Sequence, residues 1–223
     1  MDIKNNLAKF KKEIEPYGAQ LILVSKTQSA DKIKEAYQVG QKKFGESKVQ
    51  ELNRKEISLP KDINWHYIGH LQRNKVSSII PYISLIQTVD SVRLMEEIDK
   101  QAKKQNRIIS CLLQIYIAKE TTKFGIDYAD LNMVIESISN LGLSNIKIQG
   151  LMGIASLTED EDKIRSEFKF LRKTFDGLNQ QQLPQNVEMK ELSMGMSSDY
   201  KIALQEGSTL IRIGTAIFGS RNY

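Results

Sequence analysis

Short runs of apolar, β-branched residues alternate along this chain with segments whose apolar positions recur at threes and fours. The runs LILVSK (21–26), KKFGE (42–46), NWHYIG (64–69), SLIQTV (84–89), ISCLLQIYI (109–117), IKIQGLMGI (146–154), VEMKELSM (187–194) and TLIRIGTAIFG (209–219) read as strands. Between them SADKIKEAYQVG (29–40), SVRLMEEIDKQAKKQN (91–106), DYADLNMVIESISNL (127–141) and EDKIRSEFKFLRKTFDGLNQQ (161–181) read as amphipathic helices. Ser29, Ser91 and Asp127 stand at or near the starts of three of these, where a side-chain oxygen can take up an unpaired backbone N–H.

Eight strands apolar enough to be buried on both faces, separated throughout by helices, are what a closed parallel barrel requires, whereas an open doubly wound sheet of this length more often has about five or six. The expected fold class is therefore α/β, a single-domain (β/α)8 TIM barrel covering residues 1–223. One further helix, NLAKFKKEI (6–14), precedes the first strand, and since the chain stops soon after the eighth, this leading helix is expected to cover the place of a missing last helix. Only four prolines occur, and neither a Gly/Ser-rich linker nor a repeat beyond the alternation is visible.

Composition narrows the function. A chain of 223 residues buries a substantial core without staples. Its single cysteine, Cys111, lies inside an apolar run and reads as a small buried hydrophobe. The charged N-terminus has no signal-peptide core and no run reaches membrane-spanning length, so a cytoplasmic protein without membrane contact is expected. Lys plus Arg number 32 against 27 Asp plus Glu, a formal charge of +5 spread along the chain. No basic block is interleaved with aromatics, which argues against nucleic acid and fits an anionic small ligand as well. No histidine and carboxylate spacing suits zinc, so no metal is expected.

The carboxyl ends of the strands form the active face of such a barrel. Lys26 ends the first run, Glu46 the second, His66 and Gly69 close the third, Tyr116 the fifth, Met152 the sixth, Ser193 and Met194 the seventh, and Arg212 lies within the eighth. Polar groups in such runs are costly unless paired or used. SMGMSSD and RIGTAIFG follow the seventh and eighth strands, the recurrent phosphate position of this architecture. There Gly195 and Gly214 permit close backbone approach, and Ser197, Ser198 and Thr215 offer hydroxyls. A lysine, an arginine and a phosphate cup suggest a phosphorylated aldehyde, and pyridoxal 5′-phosphate fits, with Lys26 forming a Schiff base and Arg212 facing the pyridine nitrogen. Any one lysine after a strand reads as a solvated full stop; the company of Lys26 turns it into a reactive amine, whose reference pKa of about 10.4 must be lowered by burial and a neighbouring cation.

The segments LVSKT, FGESKVQE, WHYIGHLQRNK, TVDS, GLMGIAS, LSMGMSSDY and GSTLIRIGTAIFGSR, in that order over nearly the whole chain, resemble the pyridoxal phosphate homeostasis proteins, the YggS/PROSC family, whose fold is that of the barrel domain of alanine racemase. The resemblance implies that Lys26 carries the cofactor, that Ser197 and the backbone of Gly214 and Thr215 contact its phosphate, and that Arg212 lies near the ring nitrogen. It implies also that Ser193, Met194 and Gly195 line the cofactor. Ser47 and Tyr116 depart from the family, which commonly has Asn at both places.

An arginine at the ring nitrogen keeps it unprotonated and weakens the electron sink that decarboxylation or transamination needs. Racemisation needs acid/base groups on both faces of the cofactor. Lys26 serves one, and Tyr116 and His66 are the candidates for the other, although His66 beside Trp65 reads better as a hydrogen-bonded structural residue and His70 as a loop residue. The expected function is thus storage and delivery of pyridoxal phosphate to apoenzymes without turnover, by a monomer lacking the racemase's second domain. The alternative is a small monomeric amino-acid racemase; a Schiff-base aldolase is a third and weaker reading. Lys123, in TTKFG, reads either as a second amine that relays the aldehyde or as a surface lysine.

Overall fold

A computed structural model describes residues 2–118 and 124–219. Its strands are β1 (Gln20–Val24), β2 (Lys43–Glu46), β3 (Asn64–Tyr67), β4 (Leu85–Val89), β5 (Ile109–Gln114), β6 (Ile146–Met152), β7 (Val187–Ser193) and β8 (Leu210–Ile213), one in each predicted run. All pair in parallel with their sequence neighbours, and β8 pairs with β1 to close the barrel. The helices are α1 (Ile3–Ile14), α2 (Ala30–Gln38), α3 (Val49–Ser58), α4 (Val76–Ile79), α5 (Val92–Lys104), α6 (Leu131–Asn140), α7 (Glu161–Asn179), α8 (Tyr200–Gln205) and α9 (Thr215–Phe218). Among the described residues no helix is long and apolar enough to cross a membrane, and no cluster of three or more His, Cys, Asp or Glu is placed to hold a metal. Lys123 lies outside the described residues.

The period of two along each strand splits the core. Ile22, Leu85, Leu112, Met152 and Leu210 form a small cluster of their own inside the barrel, while the far larger cluster lies between the strands and the helices. Cys111 belongs to the outer core, fully buried, its thiol donating to the Ile109 carbonyl at 3.7 Å.

Helix α1 begins where Asp2 accepts from the Asn5 N–H and buries Ile3, Leu7, Phe10 and Ile14, one face at helical spacing. Helix α1 packs against α2, β1 and α9. Asn6 Nδ2 donates to the Ile217 carbonyl on α9, the Phe10 ring lies 5.4 Å from that of Tyr200 on α8, and Tyr200 donates its hydroxyl proton to Glu13 at 2.9 Å.

The ends of some predicted strands fall elsewhere. The eighth run leaves the sheet after Ile213, and its apolar tail folds into α9, which buries Ile217 and Phe218. The fifth stops at Gln114; Ile115 keeps a single bridge to Ile126, and the Tyr116 N–H donates to the Ile126 carbonyl, so Tyr116 stands in the loop. Gly69 lies past the end of β3, where an added Cβ would come 2.3 Å from the Ser47 carbonyl oxygen. The third and second loops are therefore pressed together at the mouth, with the Tyr67 hydroxyl also donating to Ser47 O.

Candidate functional site

Closure of the barrel sets β7, β8 and β1 side by side, which brings the loops carrying Ser197, Thr215 and Lys26 to one edge of the mouth. Lys26 follows Val24, the last residue of β1, by two positions and is half-buried. Arg212 pairs in register with Ile22, so it sits one layer below the mouth. Gly214 packs against the end of β1: a Cβ there would meet the Val24 carbonyl oxygen at 2.9 Å. At Gly195, with φ +94, a Cβ would come 2.6 Å from that of Ala203 on α8. Both glycines are required by the close approach of the loops to the protein's own β1 and α8. Ser197, Ser198 and Thr215 are exposed, while Met194 packs in the outer core and its carbonyl accepts from the Ser208 hydroxyl.

Above the apolar layer inside the barrel lies a polar one. Arg212 and Gln87 stand two residues beyond Leu210 and Leu85, hence on the same inward face. Arg212 Nη1 donates to Ser193 Oγ at 2.6 Å and Nη2 to the Gly153 carbonyl at 3.0 Å. Ser193 donates in turn to Gln87 Oε1 at 2.7 Å, and Gln87 Nε2 lies 2.9 Å from His66 Nδ1. Ser193 accepts from the guanidinium and gives its own proton to the glutamine oxygen, which turns the glutamine amide towards the imidazole. His66 Nδ1 is the acceptor, and the ring is a neutral imidazole protonated at Nε2. Burial pushes the His66 pKa down to about 3, with Lys43 adding to the effect. It also brings Arg212 down to about 10, opposed by Asp199, which leaves a cation at neutral pH. A buried group committed in this way is poorly suited to be a general base, which removes one of the two candidates for a second racemase base.

His70 is exposed at the mouth, its Nδ1 3.1 Å from Asp90 Oδ2 and its ring stacked on Phe124 at 3.9 Å between centroids.

One residue of this region was not singled out from the sequence. Lys55 on α3 is buried, its Nζ donating to the Ser25 carbonyl (2.7 Å), Glu46 Oε1 (2.7 Å) and Glu51 Oε1 (2.6 Å). Glu46 accepts also from the Ser25 hydroxyl at 2.7 Å, and burial raises its pKa against the opposing pull of Lys55. The sequence held a signal: Val49, Leu52 and Lys55 recur every third position on the buried face of α3, so the lysine replaces an expected hydrophobe.

The donor set suits a phosphorylated aldehyde. It has an amine at the mouth and a buried cation whose guanidinium hydrogen bonds go to neutral oxygens. Exposed hydroxyls stand on the two loops beside it, and in the first turn of α9 the Ile217 and Phe218 N–H groups donate to the Gly214 carbonyl, which leaves those of Thr215 and Ala216 at the helix start. These residues therefore fit pyridoxal phosphate.

The class defined by this barrel is matched directly: residues 1–222 correspond to the family described as alanine racemase, N-terminal domain. The pyridoxal phosphate homeostasis protein of Aquifex aeolicus is 39% identical over 206 residues, covering 92% of this chain and 88% of its own. The chain thus belongs to the pyridoxal phosphate homeostasis protein family. PipY of Synechococcus elongatus, 38% identical and covering 98% of this chain and 100% of its own, superposes with a TM-score of 0.91 without PLP and 0.88 with PLP bound. The alanine racemase of Streptomyces lavendulae shares the fold at 12% identity and a TM-score of 0.81, over 97% of this chain and 56% of its own.

Proposed function

We propose that this protein binds pyridoxal 5′-phosphate, holds it as a Schiff base on Lys26, and serves intracellular homeostasis of that cofactor by storing it and delivering it to apoenzymes, without turnover of its own. The reading rests on one observation above the others: Lys26, Arg212 and the loops after β7 and β8 belong to three adjacent strands, in a family whose relatives are named for homeostasis of pyridoxal phosphate. The cofactor, when bound, supplies an aldehyde that condenses with an amine, and a phosphate.

The chain supplies the rest. Lys26 provides the amine. Ser197 and the backbone of Gly214 and Thr215 hold the phosphate, with Ser193, Gly195 and the backbone of Met194 beside the cofactor. Arg212, fixed by Ser193 and Gly153, is the cation that would stand near the pyridine nitrogen and would withhold a proton from it. Transfer to apoenzymes by a cytoplasmic monomer completes the reading.

The test is the visible spectrum of wild type and Lys26→Ala after pyridoxal phosphate is added and the excess removed. A band retained by wild type and absent from the variant supports the assignment. A wild type that holds no cofactor refutes it. A racemase would in addition interconvert an amino acid's enantiomers when loaded, and detection of that turnover in a circular dichroism assay would replace the carrier reading.

A further inference from the structure

The tripeptide centred on the candidate anchor is held from both sides by a single buried cation. Lys55 Nζ takes the carbonyl of Ser25, the residue before Lys26, at 2.7 Å. It also holds Glu51 Oε1, and the same oxygen accepts the N–H of Thr27, the residue after Lys26, at 2.6 Å. Glu46 closes the arrangement by accepting both from Lys55 and from the Ser25 hydroxyl.

Several costs converge on this tripeptide. Thr27 is β-branched and sits at φ +65, in the left-handed region that such residues rarely enter. Lys55 and Glu46 are charged groups removed from water, and Glu46 Oε2 is buried with no hydrogen-bond partner. A buried ion pair is weak evidence for stability, since desolvation offsets most of the attraction. Strain and desolvation gathered at one point are instead the mark of a backbone held in a required shape.

We propose that Lys55 is a positioning residue for Lys26: through the Ser25 carbonyl, and through Glu51 on the Thr27 N–H, it fixes the backbone on either side of the anchor so that the Lys26 amine meets the ligand aldehyde. The step it serves is a condensation, in which the unprotonated Nζ adds to the aldehyde carbon, water leaves, and a C=N bond remains. A lysine side chain has several rotatable bonds, and fixing the backbone beneath it removes part of the search for the reactive arrangement. The proposal rests on the function proposed above.

The experiment separates covalent capture from binding. Wild type, Lys55→Met, Lys55→Arg and Glu51→Ala are each titrated with pyridoxal 5′-phosphate and with pyridoxamine 5′-phosphate, whose amine cannot be captured by a lysine. Borohydride reduction and peptide mass mapping measure the fraction fixed to Lys26. Positioning predicts that Lys55→Met and Glu51→Ala bind pyridoxamine phosphate within about twofold of wild type but fix pyridoxal phosphate about tenfold less, as loss of a charged hydrogen bond implies. Lys55→Arg, which keeps the charge, recovers part of the capture.

Unchanged capture in both variants overturns the proposal, and so does parallel loss of both ligands, which marks a purely structural role. Should Lys55→Met fail to fold, Glu51→Ala decides alone, because Glu51 is the partly exposed arm of the network. A wild type that binds neither ligand brings down the function itself; a wild type that binds both, beside variants that capture normally, brings down only the role of Lys55.

Discussion

Arg212 Nη1 donates to Ser193 Oγ at 2.6 Å across the seam between β8 and β7, and this bond sets the direction of every hydrogen bond that follows it to His66. The chain Arg212, Ser193, Gln87, His66 crosses the barrel with the charge at one end and a neutral imidazole at the other. It lies below the mouth, so it governs the electrostatics of the barrel floor beneath the loops after β7, β8 and β1.

The tautomer can be read directly, since the chain has only two histidines. Long-range nitrogen–proton NMR should show His66 neutral with its proton on Nε2. Replacing Gln87 with Glu puts a carboxylate against Nδ1, and an opposite charge in contact favours the protonated ring. His66 in Gln87→Glu should then titrate between about pH 5 and 8, where the wild-type residue stays silent. A wild-type His66 that titrates near its ordinary value would overturn the network.

Stability should depend on this histidine in a defined pH window. Below the ordinary value of 6.5 the unfolded chain binds a proton at His66, while the native ring does not until about 3. The unfolded state therefore binds more protons, and stability falls as pH falls, with a limiting slope of about 1.4 kcal/mol per pH unit. Glu46, whose native pKa is raised, contributes in the opposite sense. The informative quantity is thus the difference between wild type and His66→Asn, whose amide oxygen still accepts from Gln87. Urea unfolding at pH 7 and pH 5, of which about 1.5 units lie below the unfolded-state value, should show wild type losing about 2 kcal/mol more stability than the variant.

Gly150 marks the register shift between β6 and β7. Its φ is +144, and a Cβ there would fall 1.8 Å from the Glu191 carbonyl oxygen, a backbone atom that cannot step aside. Gly150→Ala should cost about 3 kcal/mol, a shift in the urea midpoint with little change in slope. An unchanged midpoint would show that the bulge absorbs a side chain.

Cys111 gives a probe of global opening. Burial raises its thiol pKa and shields it from solvent, and the thiolate is the reactive form. An aromatic disulfide reagent should therefore label the native protein only through unfolding, at a rate that rises with urea as the global stability falls. Fast labelling in the absence of denaturant would mean that the strand β5 opens locally.

The sequence by itself determined the number and order of the strands and the barrel they close. Buried parallel strands must be apolar on both faces and helices must recur at threes and fours, and these local demands are written in the order of residues. It also located Cys111 in the core and the paired loops after β7 and β8. Tertiary structure alone decided what each polar residue does with its hydrogen bonds. Gly195 and Gly214 are needed by α8 and β1, a contact between elements that no local pattern encodes. His66 is neutral because the closed barrel buries it, its proton is placed by Gln87, Ser193 and Arg212 arriving from three other strands, and Lys55 holds the backbone around Lys26 because α3 docks where β1 ends. Periodicity tells which residues face inward; the partners they meet there come from distant parts of the chain, and their energies exist only once the barrel has closed.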